Sequence, residues 1–232
     1  MSIDKPQYNK ARDFLKILAI ITMTADHAST VFLKEGSDIY NICQFFGNFT
    51  IVIMCFFITQ GLRYTRSVLK YAERLLLWAL ISEISFYLLF GLQLNVLFTL
   101  LASLTIIYLL DRKGLLTALA TLALFFPISL ICDWSIIAPV FTIIFYVLQK
   151  KQKEQLSLIL IPASYFILRT ILYGETQVEY IAGTISVFLA SAVIYALRIQ
   201  AEEQGKGRIP GLVFYAYYPL HLTVILLFAR LI

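Results

Sequence analysis

Residues 14–33, FLKILAIITMTADHASTVFL, run for twenty positions with one lysine, one aspartate and one histidine set among apolar and small side chains. At 1.5 Å per residue a helix of that length covers roughly 30 Å, the hydrocarbon thickness of a bilayer. Similar runs recur along the chain. Dividing them at charge clusters, Pro and Gly predicts about nine helical spans, near 14–33, 39–61, 68–90, 94–110, 115–131, 134–148, 156–173, 178–197 and 210–231. Composition agrees, since 60% of the 232 residues are hydrophobic, 14% are charged and mean hydropathy is +0.81. A soluble domain of this size would need a more polar surface. The expected fold is therefore an all-α polytopic membrane bundle over 1–232, with residues 1–12 as a short cytosolic lead-in.

Charge orients that bundle. Sixteen of nineteen basic residues fall in alternate connections: Lys5, Lys10, Arg12 and Lys16; Arg63, Arg66, Lys70 and Arg74; Arg112 and Lys113; Lys150, Lys151 and Lys153; Arg198, Lys206 and Arg208. The other connections carry Glu35, Asp38, Asp133, Glu175 and Glu179. The positive-inside rule then places the N-terminus inside and the C-terminus outside. The net charge of +5 describes an inner rim facing anionic lipid or an anionic cytosolic ligand, and no basic stripe with interleaved aromatics suggests nucleic acid. The first span is too polar at Lys16, Asp26 and His27 for a cleaved signal peptide. Cys43, Cys55 and Cys132 form neither a CxxC nor an even set, so they read as packing residues, and no metal-ligand spacing appears.

The polar residues inside the spans are the candidates for function, because a central Asp or Arg costs roughly 2.5–3.5 kcal/mol unless partnered. Both histidines of the chain, His27 and His221, lie in such spans, with Asp26 beside His27. Counting from the inner ends, His27, Glu83, Arg169 and His221 share a layer roughly 15–20 Å deep. Asp26 and His27 point about 100° apart on a helix, so Asp26 is expected to pair across an interface with Arg169 or a histidine. Glu83 with Arg169 is another candidate ion pair. Asn95, Thr99 and Ser103 make a polar seam at helical spacing, suited to interhelical hydrogen bonds. Pro219 frees the Tyr215 carbonyl, and Tyr217 or Tyr218, three or four positions before His221, could each offer it a hydroxyl.

Several segments together resemble the TraX family, integral membrane proteins associated with N-terminal acetylation of conjugative pilin. They are Leu15-Lys16, Met23-Thr24-Ala25-Asp26-His27, Gln60-Gly61-Leu62-Arg63-Tyr64-Thr65, Tyr71-Ala72-Glu73-Arg74-Leu75-Leu76, Ser82-Glu83-Ile84-Ser85-Phe86, the run 94–100, Asp133-Trp134, and Phe214-Tyr215-Ala216-Tyr217-Tyr218-Pro219-Leu220-His221-Leu222. The chain departs from the family pattern around Phe46–Phe57, where a proline-containing segment is missing, and at Gln60 and Glu83.

The resemblance implies transfer of an acetyl or short acyl group from acetyl-CoA, as donor substrate, to the free N-terminus of a peptide or pilin-like acceptor, in the bacterial cytoplasmic membrane. On that reading Arg63, Arg66, Lys70 and Arg74, with Lys16, receive the coenzyme phosphates on the inner side. His27 acts as general base, with Asp26, His221 and Tyr217 assisting and Asn95 or Arg169 stabilising the oxyanion. The competing readings are a non-enzymatic scaffold or immunity-type protein, whose histidines would tolerate Asn or Gln, and a proton-coupled transporter, which would show paired repeats that the sequence lacks.

Overall fold

The computed structural model describes residues 9–173, 178–203 and 209–231. Among them are nine α-helices: α1 (Lys10–Phe32), α2 (Asp38–Tyr64), α3 (Val68–Phe90), α4 (Val96–Lys113), α5 (Leu115–Ser129), α6 (Ile137–Lys150), α7 (Ser157–Tyr173), α8 (Val178–Glu203) and α9 (Gly211–Ala229). Lys5, Glu175, Lys206 and Arg208, and the side chains of Glu179 and Arg198, lie outside the described residues.

Local chemistry accounts for the starts of the first four helices. Asn9, Ser37, Ser67 and Asn95 cap α1 to α4, each side-chain oxygen accepting a hydrogen bond from a backbone N–H of the first turn. Because Asn9 caps it, α1 begins at Lys10 rather than near Phe14, and Lys10, Arg12 and Lys16 sit on its first turns. α6 begins three residues later than hydropathy suggests. Trp134 and Ser135 have positive φ values of 61° and 38°, which no α-helix accommodates.

Five helices, those within Lys10–Phe32, Asp38–Tyr64, Glu154–Leu172, Tyr180–Leu197 and Gly211–Ala229, are long and apolar enough to cross a membrane, and α5 and α6 are shorter apolar helices. α2 is the axis, packed against α1, α4, α6 and α8. Its run from Phe49 to Phe56 is buried on every face, the pattern of a helix with no solvent or lipid side. The peripheral helices instead turn large apolar residues outward, Ile84, Leu116, Leu124 and Ile171 among them. That outer belt is what a lipid environment requires of a protein whose backbone polar groups are satisfied within helices. The molecule is a helical membrane protein.

Basic side chains gather at one end of the bundle, where Arg12 stacks on Tyr64 and Lys150 reaches Asp111. The opposite, acidic end is not flush. Asn95 Nδ2 donates to the Ala79 carbonyl at 2.8 Å, so α4 starts beside the middle of α3, eleven residues before α3 ends at Phe90. Leu94 pairs with the turn before α6 through Leu94 N to Ile131 O and Asp133 N to Leu94 O, both 2.8 Å. The two non-helical segments 91–95 and 130–136 thus dip between the taller helices, with their backbone bonded to each other and to Thr99, whose hydroxyl donates to Asp133 O at 2.7 Å. Non-helical backbone at this depth is tolerated only where protein covers it or it lines a polar cavity.

Candidate functional site

α1 and α9 bring the two histidines together. His27 Nδ1 lies 2.8 Å from His221 Nε2, across 194 positions of sequence. His221 Nδ1 lies 3.0 Å from the Tyr217 carbonyl oxygen, which can only accept, so His221 carries its proton on Nδ1. A neutral His221 then presents a lone pair at Nε2, and His27 must donate from its own Nδ1. The tautomer assigned from these partners leaves the Nε2 of His27 unprotonated, with its lone pair available.

Aromatic rings pack closely around the pair. Both rings are buried, His27 at 9% and His221 at 4% exposure. The Tyr217 ring stacks on His221 at 5.2 Å, while Phe90 and Tyr218 pack on His27. The Tyr217 hydroxyl does not meet the imidazole as expected. It pairs with Thr24 at 2.7 Å and ties α9 to α1, and it is the Tyr217 backbone carbonyl that orients His221. α9 runs unbroken through Pro219. Ser85 and Thr223 share a hydrogen bond of 2.9 Å, so His221 and Glu83, each two residues earlier, lie at one level.

Other sequence expectations are redirected. Among the described residues no ion pair joins Asp26 to Arg169 or to a histidine, and none joins Glu83 to Arg169. Arg169 lies on the side formed by α6, α7 and α8, its guanidinium 4.8 Å from the centre of the Tyr180 ring and 6.0 Å from that of Tyr165. The faces of two tyrosine rings lie against that charge. Glu83 instead accepts through Oε2 from Asn95 N at 3.1 Å and Asn95 Nδ2 at 2.7 Å. Asn95 is fully buried; its Oδ1 accepts from Leu97 N at 3.0 Å, and its Nδ2 donates to the Ala79 carbonyl and to Glu83 Oε2, which leaves no side-chain N–H for an oxyanion. Ser103 donates to the Thr99 carbonyl at 2.8 Å, which makes the polar seam a packing feature.

Asp26 packs against α2 where that helix carries no side chain. A Cβ built at Gly47 would stand 2.6 Å from Asp26 Oδ1. Small residues permit such close approach between membrane helices. Gly47→Ala is accordingly expected to push the Asp26 carboxylate aside at a cost of about 1–3 kcal/mol, read as a lowered unfolding temperature of the purified protein.

At the basic end a cleft of about 580 Å³ is lined by Arg63, Arg66, Arg112 and Lys150 together with Thr59, Tyr108 and Tyr146. Asp111 also faces it. The Tyr146 hydroxyl and Lys150 bond its carboxylate and hold it below the usual carboxylate range. The expected basic cluster is therefore divided. Arg63 and Arg66 belong to the cleft, whereas Lys70 and Arg74 are exposed outside it, and Lys16 Nζ donates to the Ile209 carbonyl at 2.5 Å. Arg112 and Lys150, which sequence reading took as topology signals, complete the lining.

Two residues that the sequence reading named without giving them a site role stand out in the structure. Tyr218 is 1% exposed, its ring stands edge-on to His221 at 5.4 Å, and its hydroxyl has no hydrogen-bond partner of normal geometry. Gln60 is 2% exposed, and neither its amide nitrogen nor its oxygen has a partner among the described residues. The departure from the family pattern at Gln60 was the only sequence signal for it, and nothing in the sequence separated Tyr218 from Tyr217.

A probable fimbrial assembly protein, FimC of serogroup H1, from Dichelobacter nodosus is 31% identical to this chain, over 91% of the chain and 92% of the relative. No solved structure matches. The TraX protein family model matches residues 11–229. With a match along nearly the whole bundle, including both histidine-bearing helices, the chain belongs to the TraX protein family.

Proposed function

We propose that this protein is an acyltransferase of the bacterial cytoplasmic membrane, with its basic end in the cytosol, that moves an acetyl or short acyl group from acyl-CoA to the N-terminal amine of a peptide or pilin-like acceptor. The observation that carries this reading is the hydrogen-bonded chain His27–His221–Tyr217, which sets a lone pair on His27 Nε2. An α-ammonium group with a pKa of about 7.7–8.0 must first release one proton to water to become nucleophilic. Its nitrogen then bonds to the thioester carbonyl carbon, His27 Nε2 takes the second proton, the C–S bond breaks, and the proton passes to the departing thiolate. His221 stabilises the imidazolium by accepting from its Nδ1–H throughout.

The basic-end cleft suits the donor. Four cations against one aspartate match a nucleotide bearing several phosphates, with Arg able to engage them bidentately. Gln60, one turn deeper than Arg63, offers an unpaired buried amide to the amide-bearing pantetheine arm. Leaving such a group unpaired costs roughly 1–3 kcal/mol, which a bound arm would offset. From Arg63 to the level of Gly47 and Asp26, the path along α2 is roughly 24 Å.

Incubating the protein with acetyl-labelled acetyl-CoA and a peptide bearing a free N-terminus tests the reading, and an unacetylated peptide with fully active donor would sink it. In a binding titration, Arg63→Ala, Arg66→Ala and Arg112→Ala are each expected to weaken acetyl-CoA by about tenfold, the value of one lost charge-assisted hydrogen bond. Lys70→Ala and Arg74→Ala should change it little. Equal effects at all five positions would mean that general surface charge, and not the cleft, attracts the donor.

The name of the Dichelobacter relative favours a second reading, a scaffold acting in fimbrial assembly without chemistry. It predicts that His27→Gln supports assembly as well as the parent chain does, since a glutamine can replace an interhelical hydrogen bond.

A further inference from the structure

The two walls of the basic-end cleft differ in chemistry. One is the end of α2 and the connection after it, where Arg63, Thr65 and Arg66 line the space without an acidic residue among them. The other is built by α4 and α6, with Tyr108 and Asp111 on α4 and Tyr146 and Lys150 on α6. The carboxylate of the lining therefore sits on one wall only. In the last turn of α4 it also opposes the helix dipole, so the chemistry of that helix end does not call for it.

Asp111 is held through one of its two oxygens. Lys150 Nζ donates to Oδ1 at 3.0 Å and the Tyr146 hydroxyl donates to the same atom, which occupies both of its lone pairs. Arg112 Nε stands 3.8 Å from Oδ2, beyond hydrogen-bond reach, and among the described residues Oδ2 accepts no hydrogen bond. The side chain keeps 35% exposure, so Oδ2 remains an open acceptor at the cleft. Tyr108 stands one turn earlier on the same helix face, its Cβ about 5–6 Å from that of Asp111. It is 36% exposed and lines the cleft as well.

An exposed aromatic ring next to an open carboxylate oxygen fits a flat heterocycle that carries an amine. The ring covers the face of the heterocycle, and the oxygen accepts an N–H from its edge. A phosphate would be repelled by Asp111 and drawn to the arginine wall. The volume of about 580 Å³ lies in the range of small-molecule sites, with room for both halves of a nucleotide.

We propose that Tyr108 and Asp111 form the nucleobase subsite of this cleft: Asp111 Oδ2 accepts a hydrogen bond from the exocyclic amine of an adenine stacked on Tyr108, while the phosphates lie on the Arg63 and Arg66 wall. This rests on the acyl-CoA reading for its ligand. It makes Asp111 a specificity residue, selecting an amine-bearing base over a bare polyphosphate.

The test is a binding titration of the full chain in nanodiscs with adenosine 3′,5′-bisphosphate, with the same bisphosphate of purine riboside, which lacks only the exocyclic amine, and with inorganic pyrophosphate. The parent protein is expected to bind the adenosine compound about tenfold more tightly than the purine one. In Asp111→Asn, Lys150 can only donate, so it keeps the amide oxygen at the Oδ1 position and leaves the amide nitrogen where Oδ2 stood. That variant should lose the preference yet bind pyrophosphate up to about fivefold more tightly, because a negative charge has left the cleft. Misfolding would weaken both. Tyr108→Ala should weaken both nucleotides at least about fivefold and leave pyrophosphate unchanged. Equal affinity for the two nucleotides in the parent, no binding of either, or a full preference in Asp111→Asn would overturn the proposal. So would nucleotide affinity unchanged in Tyr108→Ala, the result that decides if Asp111→Asn no longer binds pyrophosphate. Acetyl transfer is scored separately. An amine-dependent preference without transfer keeps this subsite and removes the transferase reading, while transfer without that preference does the reverse.

Discussion

His27→Ala is expected to lower acetyl transfer by about 10²–10⁴-fold, the range that positioned general bases contribute. The loss should appear in the rate with saturating donor, because acetyl-CoA binds at the other end of the bundle and its affinity should be unchanged. His221 substitutions separate base from support. His221→Gln can still accept from His27 Nδ1–H through its side-chain oxygen, keeping the lone pair on Nε2. His221→Leu removes that acceptor and leaves a buried N–H unpaired. Transfer is therefore expected to fall in the order parent, Gln, Leu, measured as labelled acetyl incorporated per unit time. Parent-like turnover by His27→Ala would take the imidazole out of the chemistry altogether.

The largest effect on stability is expected at Asn95. Asn95→Ala removes the cap of α4, worth about 0.5–2 kcal/mol, and leaves the Glu83 carboxylate without its closest side-chain donor, worth about 1–3 kcal/mol more. A combined loss of roughly 1.5–5 kcal/mol should show as a lowered unfolding temperature in detergent. Glu83→Gln should cost much less, since its carbonyl oxygen still accepts from Asn95 N and Nδ2. A small change in Asn95→Ala, equal to that of an ordinary surface substitution, would mean that α4 does not depend on this contact for its starting point.

These two outcomes divide the polar interior into a part that holds the fold and a part left open. Glu83, Asn95, Thr99 and Ser103 have their donors and acceptors matched to one another or to backbone, and they build the start of α4. The Gln60 amide is buried and remains unmatched among the described residues. Buried polar groups are nearly always paired, so an exception one turn from Arg63 fits a ligand entering from the basic end.

The amino-acid sequence by itself determined the helices and their order. In an apolar medium each backbone N–H and C=O must be satisfied within its own helix, so hydropathy over about twenty residues places the helices in order, while the caps at Asn9, Ser37, Ser67 and Asn95 set where the first four begin. It also marked His27 and His221 as buried imidazoles, because position along a helix sets depth. Only the tertiary structure decided which polar groups meet. Partner choice depends on the rotation of each helix about its axis and on which helices are neighbours, and neither is written in local periodicity. That is why Glu83 found Asn95 and not Arg169, why the basic cluster split between Arg66 and Lys70, and why Tyr218, one position from the Tyr217 singled out beforehand, packs edge-on to both histidines.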